Sequence, residues 1–168
     1  MPSEFEDAYE DKERIRGALF TTAIGKLTMR MPVLIDSGAT VADAVTAMNG
    51  QHIGCVLVQT GGKLVGIFTE RDVLKRVALH EGSRAQKVEA VMTRNPATLE
   101  ANQSLAFALN KMSVGGYRHI PIVDDGGRPV SVLSIRDIVD FIVELFPEDL
   151  VNLPPDSKLA IPKTMDGG

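Results

Sequence analysis

A mixed α/β fold, built from two β-α-β-β-α copies packed about a pseudo-twofold axis, is predicted by three features of this 168-residue chain. The chain matches itself at an offset of 64, which places Pro32 on Pro96, Ala42 on Ala106, Ala44 on Ala108 and Met48 on Met112. Each copy carries an apolar series at helical spacing, and each then carries two apolar runs joined by a Gly-rich turn. A period of this kind is the signature of repeated supersecondary units.

In chain order, residues 1–29 form an extension in which Glu10 to Phe20 reads as a short amphipathic helix. The segments MPVLID and NPATLE open the two copies as short strands, each entered through a proline that has no N–H to give to a ladder. The helices that follow place Val41, Val45 and Met48, and Leu105, Leu109 and Met112, at i, i+4 and i+7. Ala39-Thr40 and Gln103-Ser104 supply the capping hydroxyls. The runs IGCVLVQTGGKLVGIF and HIPIVDDGGRPVSVLS then read as hairpins, because a short glycine-containing loop between apolar runs is what a hairpin needs.

One extra residue in the second turn moves the offset to 65, so Thr69 meets Ser134, Arg71 meets Arg136 and Asp72 meets Asp137. A second helix follows each hairpin, ERDVLKRVALH and IRDIVDFIVELF. The copies are expected at 30–78 and 91–145, with a polar linker of helical character at 79–90. The tail, 146–168, contains four prolines and is expected to be extended or partly disordered. A unit of about 50 residues buries too little surface alone, so the copies are expected to pack sheet against sheet.

Composition limits the function. The net charge of −4 gives no basic field for a polyanion, so nucleic acid is not expected as the main partner. The single cysteine, Cys55, lies in an apolar run and reads as a small buried hydrophobe. The acidic N-terminus has no secretory core, and Asp140 and Glu144 interrupt the longest late apolar run, so membrane insertion is not expected and a reducing cytoplasmic setting is. His52 and His80 have no neighbours at metal-ligand spacing and read as helix-end or surface residues. No nucleophile with an oriented base and no Walker-type loop is present, so an enzyme is not expected.

The chemistry is concentrated at the strand-to-helix corners. Thr69-Glu70-Arg71-Asp72 and Ser134-Ile135-Arg136-Asp137 each read, alone, as a capping box. Their recurrence at equivalent positions, each after a strand and each with an arginine before the aspartate, points to ligand binding. A helix start offers free N–H groups to an anion. Aspartate accepts from ribose hydroxyls, and arginine donates to phosphate oxygens.

The duplicated unit, with GIFTERD in one copy and YRHIPIVDDGGRPVSVLSIRD in the other, resembles a tandem pair of cystathionine-β-synthase (CBS) domains, a Bateman module, over roughly Arg30 to Leu145. The resemblance implies a stand-alone regulatory module with two clefts between its repeats. It implies an adenosine-containing ligand (AMP, ADP or ATP, with NAD or S-adenosylmethionine as alternatives), a homodimer and a separate effector protein. It assigns the ribose anchor to Asp72 and Asp137, phosphate contacts to Arg118, His119, Arg136 and Arg71, and backbone contacts with adenine to Val33 and Ala97, and the side-chain chemistry lets Thr69 or Ser134 add one more hydroxyl contact.

By the same resemblance, Ala97, Arg118, His119 and Arg136 join Asp72, while Val33 and Arg71 join Asp137. Gly54 and Cys55 stand where the second copy has Arg118 and His119. Unequal clefts are therefore expected, with the Asp72 cleft taking the tighter or more phosphorylated ligand. The competing expectation is a structural dimerisation module whose clefts are vestigial.

Overall fold

The computed structural model describes residues 4–145. The 146–168 tail lies outside them. Helix α1 (Glu4–Thr21) is longer than the helix expected at Glu10 to Phe20, and its Leu19 packs on the second repeat's core. The first repeat contains β1 (Leu34–Asp36), α2 (Val41–Gln51), and the hairpin β2 (Cys55–Thr60) and β3 (Lys63–Thr69). The second contains α4 (Leu105–Gly115), the hairpin β5 (His119–Val123) and β6 (Pro129–Ser134), and α5 (Ile135–Glu144). Thr40 and Ser104 cap α2 and α4 as the sequence predicts, accepting from the backbone N–H groups of Asp43 and Phe107.

Strand β2 is buried on both faces, which explains its unbroken apolar run. Val56 and Val58 point with Phe68 into a core that includes Val41, Ala44 and Met48 of α2. Cys55, Leu57 and Ile67, on the alternate face, meet Val132 of the second hairpin. The second core repeats the first, with Leu105, Ala108, Met112, Ile120, Ile122, Leu133 and Ile138 buried. Together these contacts place hairpin against hairpin.

Each half also borrows from the other's connection. The backbone N–H groups of Ile24 and Gly25 donate to Gln103 and Ala101, and Ile24 is fully buried in the second core. The expected boundary at residue 30 leaves this anchor out. Strand β4 (Thr93–Arg94), from the connection, pairs antiparallel with β3 and closes the first sheet, whose order is β1-β2-β3-β4. The linker is docked as well, with Val88 buried in the first core and Val41 N–H bonded to Gln86.

Two expected elements differ. The segment NPATLE forms a single parallel bridge, Leu99 to Ile122, rather than a strand. Pro121 has no N–H to extend that ladder, and beyond Leu99 the chain turns, with the Gln103 side chain accepting from Glu100 N–H. The helix expected over ERDVLKRVALH consists of one α-turn, α3 (Glu70–Asp72), continued by a π-turn at Val73–Val77. The second-copy counterpart, α5, is a regular α-helix.

Candidate functional site

Both corners are capping boxes. Thr69 Oγ1 accepts from Asp72 N–H, and Asp72 Oδ2 accepts from Thr69 N–H at 3.0 Å and Thr69 Oγ1 at 2.9 Å. At the second corner Asp137 Oδ2 accepts from Ser134 N–H and Oγ, both at 2.7 Å. The capping demand is therefore met by one carboxylate oxygen, and the other oxygen of each aspartate is left for different work.

The corners differ in what surrounds them. A cavity of about 340 Å³ lies beside the first, lined by Thr69, Arg71, Asp72 and Lys75 from one repeat and by Ala97, Tyr117, Arg118 and His119 from the other. Of the residues singled out from sequence, this cavity brings together Thr69, Arg71, Asp72, Ala97, Arg118 and His119. Val33, Ser134, Arg136 and Asp137 lie outside its lining.

Two arginines are thus placed differently from expectation. Arg71 belongs to the Asp72 cavity, because its guanidinium reaches across to the second repeat and Nη1 donates to the Gly116 carbonyl at 2.6 Å. That carbonyl is presented by the left-handed C-cap of α4, where Gly116 has φ 68°. Arg136 does not join Asp72. It is exposed and pairs loosely with Asp140 one turn along α5.

Backbone hydrogen bonding separates Ala97 from Val33 as well. Leu57 N–H donates to the Val33 carbonyl at 2.9 Å, so that oxygen is already engaged in the sheet. The residue equivalent to Leu57 is Pro121, which has no N–H to offer the carbonyl of Ala97. Among the described residues no backbone donor reaches the Ala97 oxygen. Of the two positions, only Ala97 presents an open acceptor at a cavity wall.

Gly54 lies directly against the His119 ring of the second repeat. A Cβ at Gly54 would lie 3.2 Å from both Cε1 and Nε2 of His119, a tight contact that a side chain there could keep only if the imidazole gave way by a few tenths of an ångström. Burial holds the His119 imidazole below its ordinary pKa and Arg118 pushes the same way, against Glu70 and Asp137. Cys55, occupying the equivalent place in the first copy, is buried, and its thiol is pushed up to about 12 by desolvation and by Glu70. It is an inert packing group, as its apolar context predicts.

Sequence reasoning missed Lys75, Arg76, Glu70, Thr93 and Asn95, all of which line the cavity. Arg76 had a legible signal, since it is four residues past Asp72, on the same helix face. Arg71, Lys75, Arg76 and Arg118 together set four cations against the two carboxylates of Glu70 and Asp72. Arg118 is exposed, and among the described residues its guanidinium has no hydrogen-bond or ion-pair partner. The cavity therefore favours an anion that also carries hydroxyl donors. No cluster of three or more His, Cys, Asp or Glu suited to a metal is present among the described residues.

The CBS domain family model matches twice, over residues 24–79 and 88–144. The chain belongs to the CBS-domain family. Among relatives of this CBS pair, a CBS domain-containing protein of Arabidopsis thaliana is 36% identical over 118 residues, which are 68% of this chain and 20% of that protein. The chain thus spans about a fifth of the plant relative's length.

A CBS-domain containing protein from Agrobacterium tumefaciens superposes with a TM-score of 0.63 at 32% identity, covering 67% of this chain and 90% of the other. The CBS domain pair of protein MJ0100, solved with 5′-methylthioadenosine and S-adenosyl-L-methionine, superposes at 0.67 with 26% identity and covers 74% and 98%. No helix among the described residues of this CBS pair is long and apolar enough to cross a membrane.

Proposed function

We propose that this CBS pair is a regulatory adenine-nucleotide sensor that binds its ligand in the cavity beside Asp72 and acts on a separate effector protein. The observation that carries the reading is the convergence of a buried aspartate, an unpaired guanidinium and an open backbone carbonyl on one cavity between the repeats. Asp72 Oδ1 accepts from the ribose, Arg118 and Lys75 receive the phosphate, and Ala97 meets the base through its carbonyl. The adenosine compounds in the MJ0100 structure support the ligand class. The four lining cations favour AMP, ADP or ATP over S-adenosylmethionine, whose sulfonium they repel. Exposed Val114 on α4 and exposed Val139 and Val143 on α5 supply apolar surface for a homodimer.

Thermal melting with AMP, ADP, ATP, NAD and S-adenosylmethionine tests the reading. A ligand at 100 times its Kd stabilises by about 2.7 kcal/mol through mass action, which is a clear upward shift in Tm. If none of the five shifts the transition, the sensor reading fails and a structural module with vestigial clefts replaces it.

A further inference from the structure

One side chain in the cavity holds two parts of the wall at once. Arg76 Nη1 donates to the carbonyls of Val91 at 2.7 Å and Met92 at 2.8 Å, which uses both of its hydrogens. The same nitrogen lies 3.3 Å from Asp72 Oδ1 as an ion pair. Asp72 Oδ2 is committed to the helix cap, and Thr93 Oγ1 reaches Oδ1 only at 3.5 Å. Oδ1 therefore has a positive charge beside it without a short donor occupying its lone pairs. A ligand hydroxyl can take that place.

Arg76 is carried on the π-turn that follows α3. Ala78 N–H bonds back to the Val73 carbonyl, five residues earlier, and the widened turn spans Val73–Val77. The carbonyls that Arg76 holds belong to the stretch that enters β4 and continues through Asn95 and Pro96 to Ala97. One guanidinium thus ties the corner that carries Asp72 to the segment that carries the open carbonyl. The second repeat has Phe141 at the equivalent position, packed against its own core.

We propose that Arg76 is a positioning residue that gives this cavity its preference for a ligand with a free 2′-hydroxyl, by fixing Oδ1 of Asp72 relative to the base-facing wall. This rests on the reading of Asp72 as the ribose anchor. The site discriminates because a hydroxyl is matched to an acceptor already aimed and charged, and a ligand without the hydroxyl leaves that acceptor unpaired.

The test is calorimetric titration of the full chain with AMP and 2′-deoxy-AMP, for wild type, Arg76→Met, Arg76→Lys and Asp72→Asn. Wild type is expected to prefer AMP by about tenfold or more, and Arg76→Met to reduce that preference to about twofold, mostly through weaker AMP binding. Arg76→Lys keeps the charge but replaces the planar guanidinium with a flexible ammonium that holds the two carbonyls and Asp72 less rigidly, so its preference falls between the two. If both Arg76 variants weaken the two ligands equally and the ratio is unchanged, Arg76 is merely structural and the inference is overturned. If Arg76→Met does not fold, the ratio in Arg76→Lys decides. A different result fails the underlying reading instead: no AMP binding by wild type, or an unchanged ribose preference in Asp72→Asn.

Discussion

The two halves have nearly equivalent cores and very different corners. Phe68 and Leu133 occupy equivalent, fully buried positions, and Met48 and Met112 fill matching places under α2 and α4. At the corners the capping boxes superpose in kind, yet Lys75 and Arg76 of the first are answered by Asp140 and Phe141 in the second. Duplication has kept what folds the chain, while the groups offered to a ligand have diverged. A capping motif therefore identifies a corner, and the residues three and four positions past its aspartate decide what the corner offers.

The largest expected effect tests the equality of the cores. Phe68→Ala and Leu133→Ala each remove a fully buried side chain, and large-to-small core changes of this kind cost roughly 2–5 kcal/mol. Because Val132, Leu57 and Ile67 form a cluster between the hairpins, and Ile24 is buried in the second core, both variants are expected to lower one shared transition. Calorimetry that resolved two transitions, one moved by each variant, would break the picture of a single cooperative unit.

The inequality of the corners is tested by Asp72→Ala against Asp137→Ala. Each removes a capping carboxylate, for about 1 kcal/mol of stability. Only Asp72→Ala is expected to weaken AMP as well, by about 100-fold, which corresponds to roughly 2.7 kcal/mol. Titration calorimetry separates the two effects. Loss of AMP binding in Asp137→Ala with retention in Asp72→Ala would reverse the assignment.

A narrower test turns the second half's backbone into the first's. Pro121→Val restores an N–H beside the Ala97 carbonyl, as Leu57 provides for Val33. Closing that acceptor is expected to weaken AMP by about tenfold, near 1.4 kcal/mol, and IMP by less, because hypoxanthine has no exocyclic amino group to donate. Equal losses for AMP and IMP would show that Ala97 does not read the base.

The repeat, both hairpins and the Thr40 and Ser104 caps were legible because each depends on local spacing: an offset of 64, apolar residues at helical period, glycines in a turn. The cavity was legible only where the motif itself enters it, at Thr69, Asp72, Ala97, Arg118 and His119. Arg71 was expected beside Asp137 and lines the Asp72 cavity, because its reach to Gly116 depends on how the halves face each other, which no spacing records. Arg76 was overlooked because its acceptors, Val91 and Met92, lie in the connection, which no local spacing ties to the corner. The role of Gly54 became visible only once the His119 ring was placed beside it.

The smallest effect is a pH dependence that the two halves do not share. His119 is held below its ordinary pKa in the fold by burial and by Arg118, opposed by Glu70 and Asp137. As pH falls below about 6.5 the unfolded chain takes up the proton first, so stability declines from there toward the lower folded value and is unaffected above it. A bound phosphate reverses the sign locally, since an anion beside the ring favours the imidazolium. AMP affinity is then expected to rise as pH falls from 7 toward 6, with proton uptake seen as a buffer-dependent binding enthalpy. The equivalent residue of the first copy, Cys55, has its thiol at about 12 and does not titrate in this range. His119→Gln should therefore flatten both profiles, and a proton uptake that survived it would assign the effect to the ligand's own phosphate.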